Sequence, residues 1–223
     1  MADLTPLWIS LRIACISTIV VVFLSITLAK LLYNKQNIWT RLIESFIFLP
    51  IILPPTVLGF LLLIVFSVEG PIGHLLTDNL GIQIVFSLVG ATIASIIVSF
   101  PLMYQHAVQG FRTIDTQMLN AARTMGASES KIFLKLILPL SKRALISGAM
   151  LAFARAIGEF GATLMVAGYI PGRTNTLPLE IYFLVQQGRE SQAWLWVVVL
   201  VAFSITIIGT MNLLNKDAYK ERD

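Results

Sequence analysis

Charge is scarce in this chain: of its 223 residues only 13% are Asp, Glu, Lys or Arg, about half the share found in a soluble domain. Together with 57% apolar residues and a mean hydropathy of +0.82, that scarcity excludes an ordinary water-soluble enzyme. The apolar surface exceeds what one domain of this size hides in its own core, so its solvent is lipid. A lone cysteine, Cys15, excludes an internal disulfide and a multi-cysteine metal site. Histidine is limited to His74 and His106, and neither stands in a His-Glu-x-x-His arrangement, so no metal site is expected and both read as ordinary residues. No Gly-x-x-x-x-Gly-Lys-Ser/Thr run is present to cradle ATP phosphates, so any ATP is used by a partner. A Gly-x-Ser-x-Gly elbow is also missing, which leaves an intramembrane hydrolase without support and no catalytic residue to name. The net charge of +4 comes with no RNA- or DNA-binding motif, so no nucleic-acid partner is expected.

What the sequence has is long uncharged runs. The leader Met1-Ala2-Asp3-Leu4-Thr5-Pro6 has no basic n-region and no cleavage pattern ends the run after it, so that run is expected to be kept as a helix. Windows at 13–29, 45–68, 81–104, 144–169 and 191–215 predict five transmembrane helices in one all-α membrane domain. The domain is expected to span 1–223, with a core of about 8–214. Basic residues gather on one side: Lys30, Lys35 and Arg41 after the first window, Arg112, Arg123, Lys131, Lys135, Lys142 and Arg143 after the third, Lys216, Lys220 and Arg222 after the fifth. The other side holds Arg173 and Arg189. The positive-inside rule therefore predicts an external N-terminus, a cytoplasmic C-terminus and a cytoplasmic segment at 107–143.

A segment that long in so compact a protein has a structure or a task of its own. Asp115 is a good N-cap, and Met118, Ala121, Ala122 and Met125 follow at i, i+3, i+4 and i+7, predicting one apolar face of a short helix ended by Gly126. Ser128 and Glu129 start a second helix whose apolar side is Ile132, Phe133, Leu136 and Ile137, expected to stop at Pro139. Pattern alone leaves two readings of this elbow open: a helix resting on lipid headgroups, or a helix seated in a groove of another protein.

Two further features lie inside the windows. Pro50, Pro54 and Pro55 remove amide donors from the second, predicting a kinked or unwound segment, either a hinge or gate or a static kink that only sets helix direction, with Gly59 beyond it permitting close packing. Arg155 and Glu159 are the only charges within any window. At i, i+4 they are expected to pair on one helix face beside a small-residue row of Ala154, Gly158 and Ala162. Either Arg155 presents positive potential to a passing anion, or the pair neutralises itself and fixes packing.

The stretch Asn120-Ala121-Ala122-Arg123-Thr124-Met125-Gly126, followed after nine residues by Leu136-Ile137-Leu138-Pro139, resembles the EAA loop of ABC importer permeases, with Asn120 where that family usually has Glu. The runs from Leu49 through Pro50, Pro54, Pro55 and Gly59 to Leu62, from Arg155 through Gly158, Glu159 and Gly161 to Thr163, and from Ile170 to Pro178 are similar to the molybdate and tungstate permeases among them. The resemblance implies a type I ABC importer permease fold and a homodimer in the cytoplasmic membrane of a bacterium or archaeon. It implies two cytoplasmic ABC ATPase subunits that hold the ATP and Mg, this chain having no cofactor, and an extracytoplasmic molybdate-binding protein. Asn120, Ala121, Ala122, Arg123, Gly126, Leu136, Leu138 and Pro139 would then couple to the ATPase. A sulfate, thiosulfate or tungstate importer is the alternative within the class. A secondary transporter is the alternative outside it, but five spans do not divide into two equal inverted halves.

Overall fold

The computed structural model describes residues 4–35 and 37–220, with side chains as far as 213. The first three residues of the leader and Arg222, counted above among the cytoplasmic basic residues, lie outside the described residues. The chain is an all-α membrane protein: the described regular structure is helical throughout, in the order α1 (Thr5–Leu32), α2 (Ile38–Ile52), α3 (Pro55–Phe66), α4 (Gly73–Leu80), α5 (Leu88–Arg112) and α6 (Thr116–Thr124). There follow α7 (Glu129–Leu140), α8 (Lys142–Ile157), α9 (Gly161–Val166), α10 (Leu177–Gln186) and α11 (Glu190–Lys220).

Three helices are long and apolar enough to cross a membrane unaided: α1, α5 and α11 through Leu213. Two bent pairs, α2 with α3 at 115° and α7 with α8 at 68°, are apolar and long enough only when each pair is taken together, which makes five spans if each pair crosses once. The second window is thus two helices rather than one. The fourth is corrected further: its helix ends at Ile157 and restarts at Gly161 after a break, and its entry is α7 rather than a loop.

α5 is the central post, packed against α1 and α8. Small residues let the backbones approach: Ala14, Ser17, Ser25 and Ala29 of α1 and Ala91, Ala94, Ser95 and Ser99 of α5 are all buried. On the α8 side, a Cβ added to Gly148 would stand 2.6 Å from the His106 Cβ, and one on Gly110 2.8 Å from the Ala144 Cβ. Hydroxyls tie the helices where apolar packing gives no direction: Ser17 Oγ donates to the Thr92 carbonyl at 3.2 Å and Ser141 Oγ to the Gly110 carbonyl at 2.9 Å. The periphery is apolar and exposed, as at Phe23, Trp39, Phe46, Trp194 and Ile205, which suits contact with lipid chains. α11 rests on α10 and α8 with most of its surface open.

The elbow begins later than its window implied, because α5 continues to Arg112. Asp115 caps α6 by accepting from the Gln117 amide at 2.8 Å, and Ser128 caps α7 by accepting from that of Lys131 at 3.4 Å. Pro139 does not stop α7. A π-helical stretch, Phe133–Ile137, precedes it, and the Leu138 amide bonds five residues back to the Phe133 carbonyl. That wider register relieves the clash and the lost donor a proline brings to an α-helix.

Candidate functional site

The two breaks meet. In the first, Leu53 and Pro54 adopt extended backbone between α2 and α3, and Pro55 opens α3 where its missing amide costs nothing. Pro50 sits inside α2, and the chain turns only after Leu53, whose amide still bonds the Leu49 carbonyl at 3.0 Å. In the second, α8 ends at Ile157 and Glu159 turns inward to full burial. Its Oε1 accepts from the Ala162 amide at 2.9 Å, capping α9, while its Oε2 lies 2.7 Å from Arg155 Nη1. Arg155 and Glu159 therefore pair as their spacing implied, but across the end of a helix, with Glu159 beyond it.

Glycine sets the fit between the breaks. A Cβ on Gly161 would stand 2.7 Å from the Pro55 Cβ, and one on Gly59 2.7 Å from the Met165 Cβ and 2.9 Å from the Ala162 Cα. The expected row Ala154, Gly158, Ala162 is corrected here: Gly158 is exposed, with only the Ala154 carbonyl near it at 3.6 Å. Close approach is made by Gly161 and Ala162 instead, because the break rotates the residues after 158 off the helical face.

Between the breaks lies a cavity of about 210 Å³ lined by Pro50, Ile51, Leu53, Pro55, Val98, Leu102 and Arg155. The structure thus brings together the proline segment and Arg155, far apart in sequence. Arg155 is the one charged residue of this lining, and its side chain keeps 33% of its exposure. Its volume is enough for several waters, each needing about 30 Å³ in the liquid.

The elbow forms a second, separate group. Leu119 is the residue that α6 buries, and Ala122 is half-buried beside it. Met118, Ala121 and Met125, assigned above to one apolar face with Ala122, are exposed, Met125 by 86%. This corrects the expected face: Leu119 packs inward while three small or flexible apolar residues look outward. Gly126 has φ +80° and nothing around it, so α6 ends in the left-handed conformation that glycine adopts freely. Arg123 grips both oxygens of Glu129 (2.7 and 3.2 Å) and the Asn120 Oδ1 (2.8 Å), bracing α6 against α7. This hydrogen bonding holds the Glu129 carboxyl below its ordinary pKa and raises that of Arg123. Leu136 and Leu138 are half-buried against the core beneath the elbow, and Pro139 is exposed.

A contact that the sequence reading missed joins the two groups. Tyr104 of α5, wholly buried in the elbow's core, donates its hydroxyl to Glu44 of α2 at 3.0 Å and meets Phe48 edge-on. The signal was a carboxylate, Glu44, one residue ahead of an uncharged window. Also unforeseen is the order of the loop at 168–176. Thr174 Oγ1 donates to the Gly168 carbonyl at 2.9 Å and accepts from the Ile170 amide at 3.0 Å, while Asn175 Oδ1 accepts from the Gly172 amide at 2.8 Å. Pro171, Gly172 and Arg173 project from it, exposed.

Residues 21–217 match the family described as binding-protein-dependent transport system inner membrane component. YvgM of Bacillus subtilis (strain 168), whose name assigns it to a molybdenum transport system as a permease protein, is 41% identical over 205 residues, covering 92% of this chain and 90% of its own length. The molybdenum transport system permease protein ModB of Escherichia coli (strain K12) is 37% identical over 198 residues, 88% of this chain and 86% of that one. A chain in the crystal structure of a bacterial alginate ABC transporter, in complex with alginate pentasaccharide-bound periplasmic protein, superposes with a TM-score of 0.72. That likeness covers 96% of this chain and 78% of the other at 13% identity, and it shows the fold.

Proposed function

The chain belongs to the family of binding-protein-dependent transport system inner membrane components, and from that premise we propose that it is the permease subunit of an ATP-driven importer that carries molybdate across the cytoplasmic membrane. Relatives named for molybdenum transport match nearly their whole length, which supports the substrate. The observation that carries the oxyanion reading is Arg155, a cation on the wall of the cavity between two broken spans. A tetrahedral dianion is too costly to desolvate in lipid and needs a watered passage that opens to each side in turn. Arg155 supplies positive potential along that passage, and Glu159 beside it keeps the hold weak enough for release. High affinity belongs on the extracytoplasmic binding protein, because a tight site in the pathway would retain the ion. Pro54 and Pro55 leave the carbonyls of Pro50 and Ile51 without helical donors, and carbonyl oxygens repel an oxyanion. The break is accordingly a hinge or gate rather than a substrate site.

Energy enters at the elbow. Two copies of the chain form a homodimer and sit on two ABC ATPase subunits, which bind the ATP and Mg. The exposed side of α6, with Met118, Ala121 and Met125, lies in a cleft of the ATPase. The Tyr104 contacts with α2 give its movement a packed route to the break. The N-terminus is outside and the C-terminus cytoplasmic, so the ordered loop carrying Pro171, Gly172 and Arg173 faces the binding protein. Radiolabelled molybdate uptake by cells with and without this gene tests the reading. Uptake that depends on the gene and falls with excess tungstate is expected. Gene-dependent sulfate uptake that molybdate does not compete with would overturn the substrate.

A further inference from the structure

Beside the second helix of the elbow, an apolar groove of about 550 Å³ runs between α1 and α7, with Thr18, Val22, Ile26, Thr27 and Lys30 on one wall and Phe133, Leu134 and Leu138 on the other. Its hydroxyls are already engaged: Thr18 Oγ1 donates to the Ala14 carbonyl at 2.7 Å and Thr27 Oγ1 to the Phe23 carbonyl at 2.8 Å. From Thr18 to Lys30 the helix rises about 18 Å, close to the ~15 Å of one leaflet of a ~30 Å hydrocarbon core. At the end of the groove the Lys30 ammonium lies 4.6 Å from the centre of the Phe133 ring, a cation–π contact that holds the charge at the mouth. Among the described residues no carboxylate lines the groove. A purely apolar occupant would gain nothing from a fixed cation there, whereas a lipid with an anionic head matches both the apolar length and the charged end.

We propose that this groove binds one acyl chain of an anionic phospholipid from the cytoplasmic leaflet, its phosphate resting on Lys30. The choice of leaflet rests on the topology above; the binding itself does not. The assembled complex, purified in detergent, is exchanged against phosphatidylglycerol or phosphatidylethanolamine, and the lipid it retains is counted by native mass spectrometry. Wild type retains phosphatidylglycerol preferentially. Lys30→Gln lowers that retention about fivefold, the ratio equivalent to ~1 kcal/mol for one lysine at a membrane surface. Ile26→Trp, which fills the groove, lowers retention of both lipids. Equal retention of the two lipids by wild type, or an unchanged preference in Lys30→Gln, overturns the proposal. So does a disulfide between two copies through Phe23→Cys in a Cys15→Ser background, because it would place the second copy in the groove. Lys30→Cys in that background is expected to react with an impermeant maleimide from the cytoplasmic side. Reaction from outside only overturns the leaflet and the topology together. Lipid retention is read without transport, so its failure is separate from failure of the molybdate reading.

Discussion

Gly161 lies so close to Pro55 that a Cβ built on the glycine stands 2.7 Å from the proline Cβ. The contact joins the two broken spans at their breaks, and a proline ring has no torsion by which to swing clear. Gly161→Ala is therefore expected to destabilise the purified complex by about 1–3 kcal/mol, the usual range for an overpacked site, and to reduce transport. Gly158→Ala is the control: its nearest neighbour is the Ala154 carbonyl at 3.6 Å, and its φ of −90° suits any residue. Thermal unfolding of both variants checks this, and an equal loss in the two would contradict it.

The Arg155–Glu159 pair has one buried and one partly exposed member, so the two residues respond differently to change. Glu159→Ala leaves the buried Ala162 amide without its acceptor, at a cost of about 1–3 kcal/mol, while Arg155, partly exposed, keeps its water. Arg155→Lys keeps the charge but loses the planar fork. It is expected to assemble with near wild-type stability and to transport poorly or with altered anion preference. A complex that falls apart in detergent would instead give Arg155 a packing role alone.

At the elbow, Gly126→Leu meets no steric neighbour, so its cost is the left-handed backbone, about 1–2 kcal/mol, which re-aims the end of α6. It is expected to leave the ATPase hydrolysing without transport. Met125→Asp puts a charge on the outward side without touching the core and should weaken ATPase assembly while the permease remains folded. Full ATP-dependent uptake by Gly126→Leu would remove the elbow from coupling.

Much of this arrangement could be read from the residues. Hydropathy located the three helices that are long enough to cross a membrane unaided and parts of both bent pairs, and Pro54 with Pro55 announced the first break because three prolines within six positions starve a helix of donors. The second break was hidden. Arg155 and Glu159 at i, i+4 look like one helical face, and Gly158 and Gly161 are unremarkable in a membrane helix. What ends α8 is tertiary: Glu159 caps α9 while Gly161 fits Pro55. Periodicity found the apolar residues of α6 but not which of them are exposed, and it passed over Leu119, the one that is buried. Pro139 read as a stop because a π-helical turn has no local sequence signal.

The brace between Arg123 and Glu129 carries a pH signature. Its hydrogen bonds depress the Glu129 pKa, so its contribution is fully present above the ordinary glutamate value of about 4.3 and is lost as pH falls through the lower folded value. Both groups are exposed, so the effect on stability is small and is better seen directly. A carbon-13 titration of the Glu129 carboxyl should show a midpoint below that of free glutamate, returning to it in Arg123→Gln. A wild-type midpoint at or above the ordinary value would contradict the brace.

The central claim is that the paired breaks are the moving element driven by the ATPase. It is tested most directly by spin labels on Ile52→Cys and Ile64→Cys, both at exposed positions, in a Cys15→Ser background and in complexes where one copy is labelled. The distance across Pro54 is predicted to shift between the nucleotide-free and ATP-bound states. An unchanged distance distribution in the two states would make the break a static kink and contradict the account.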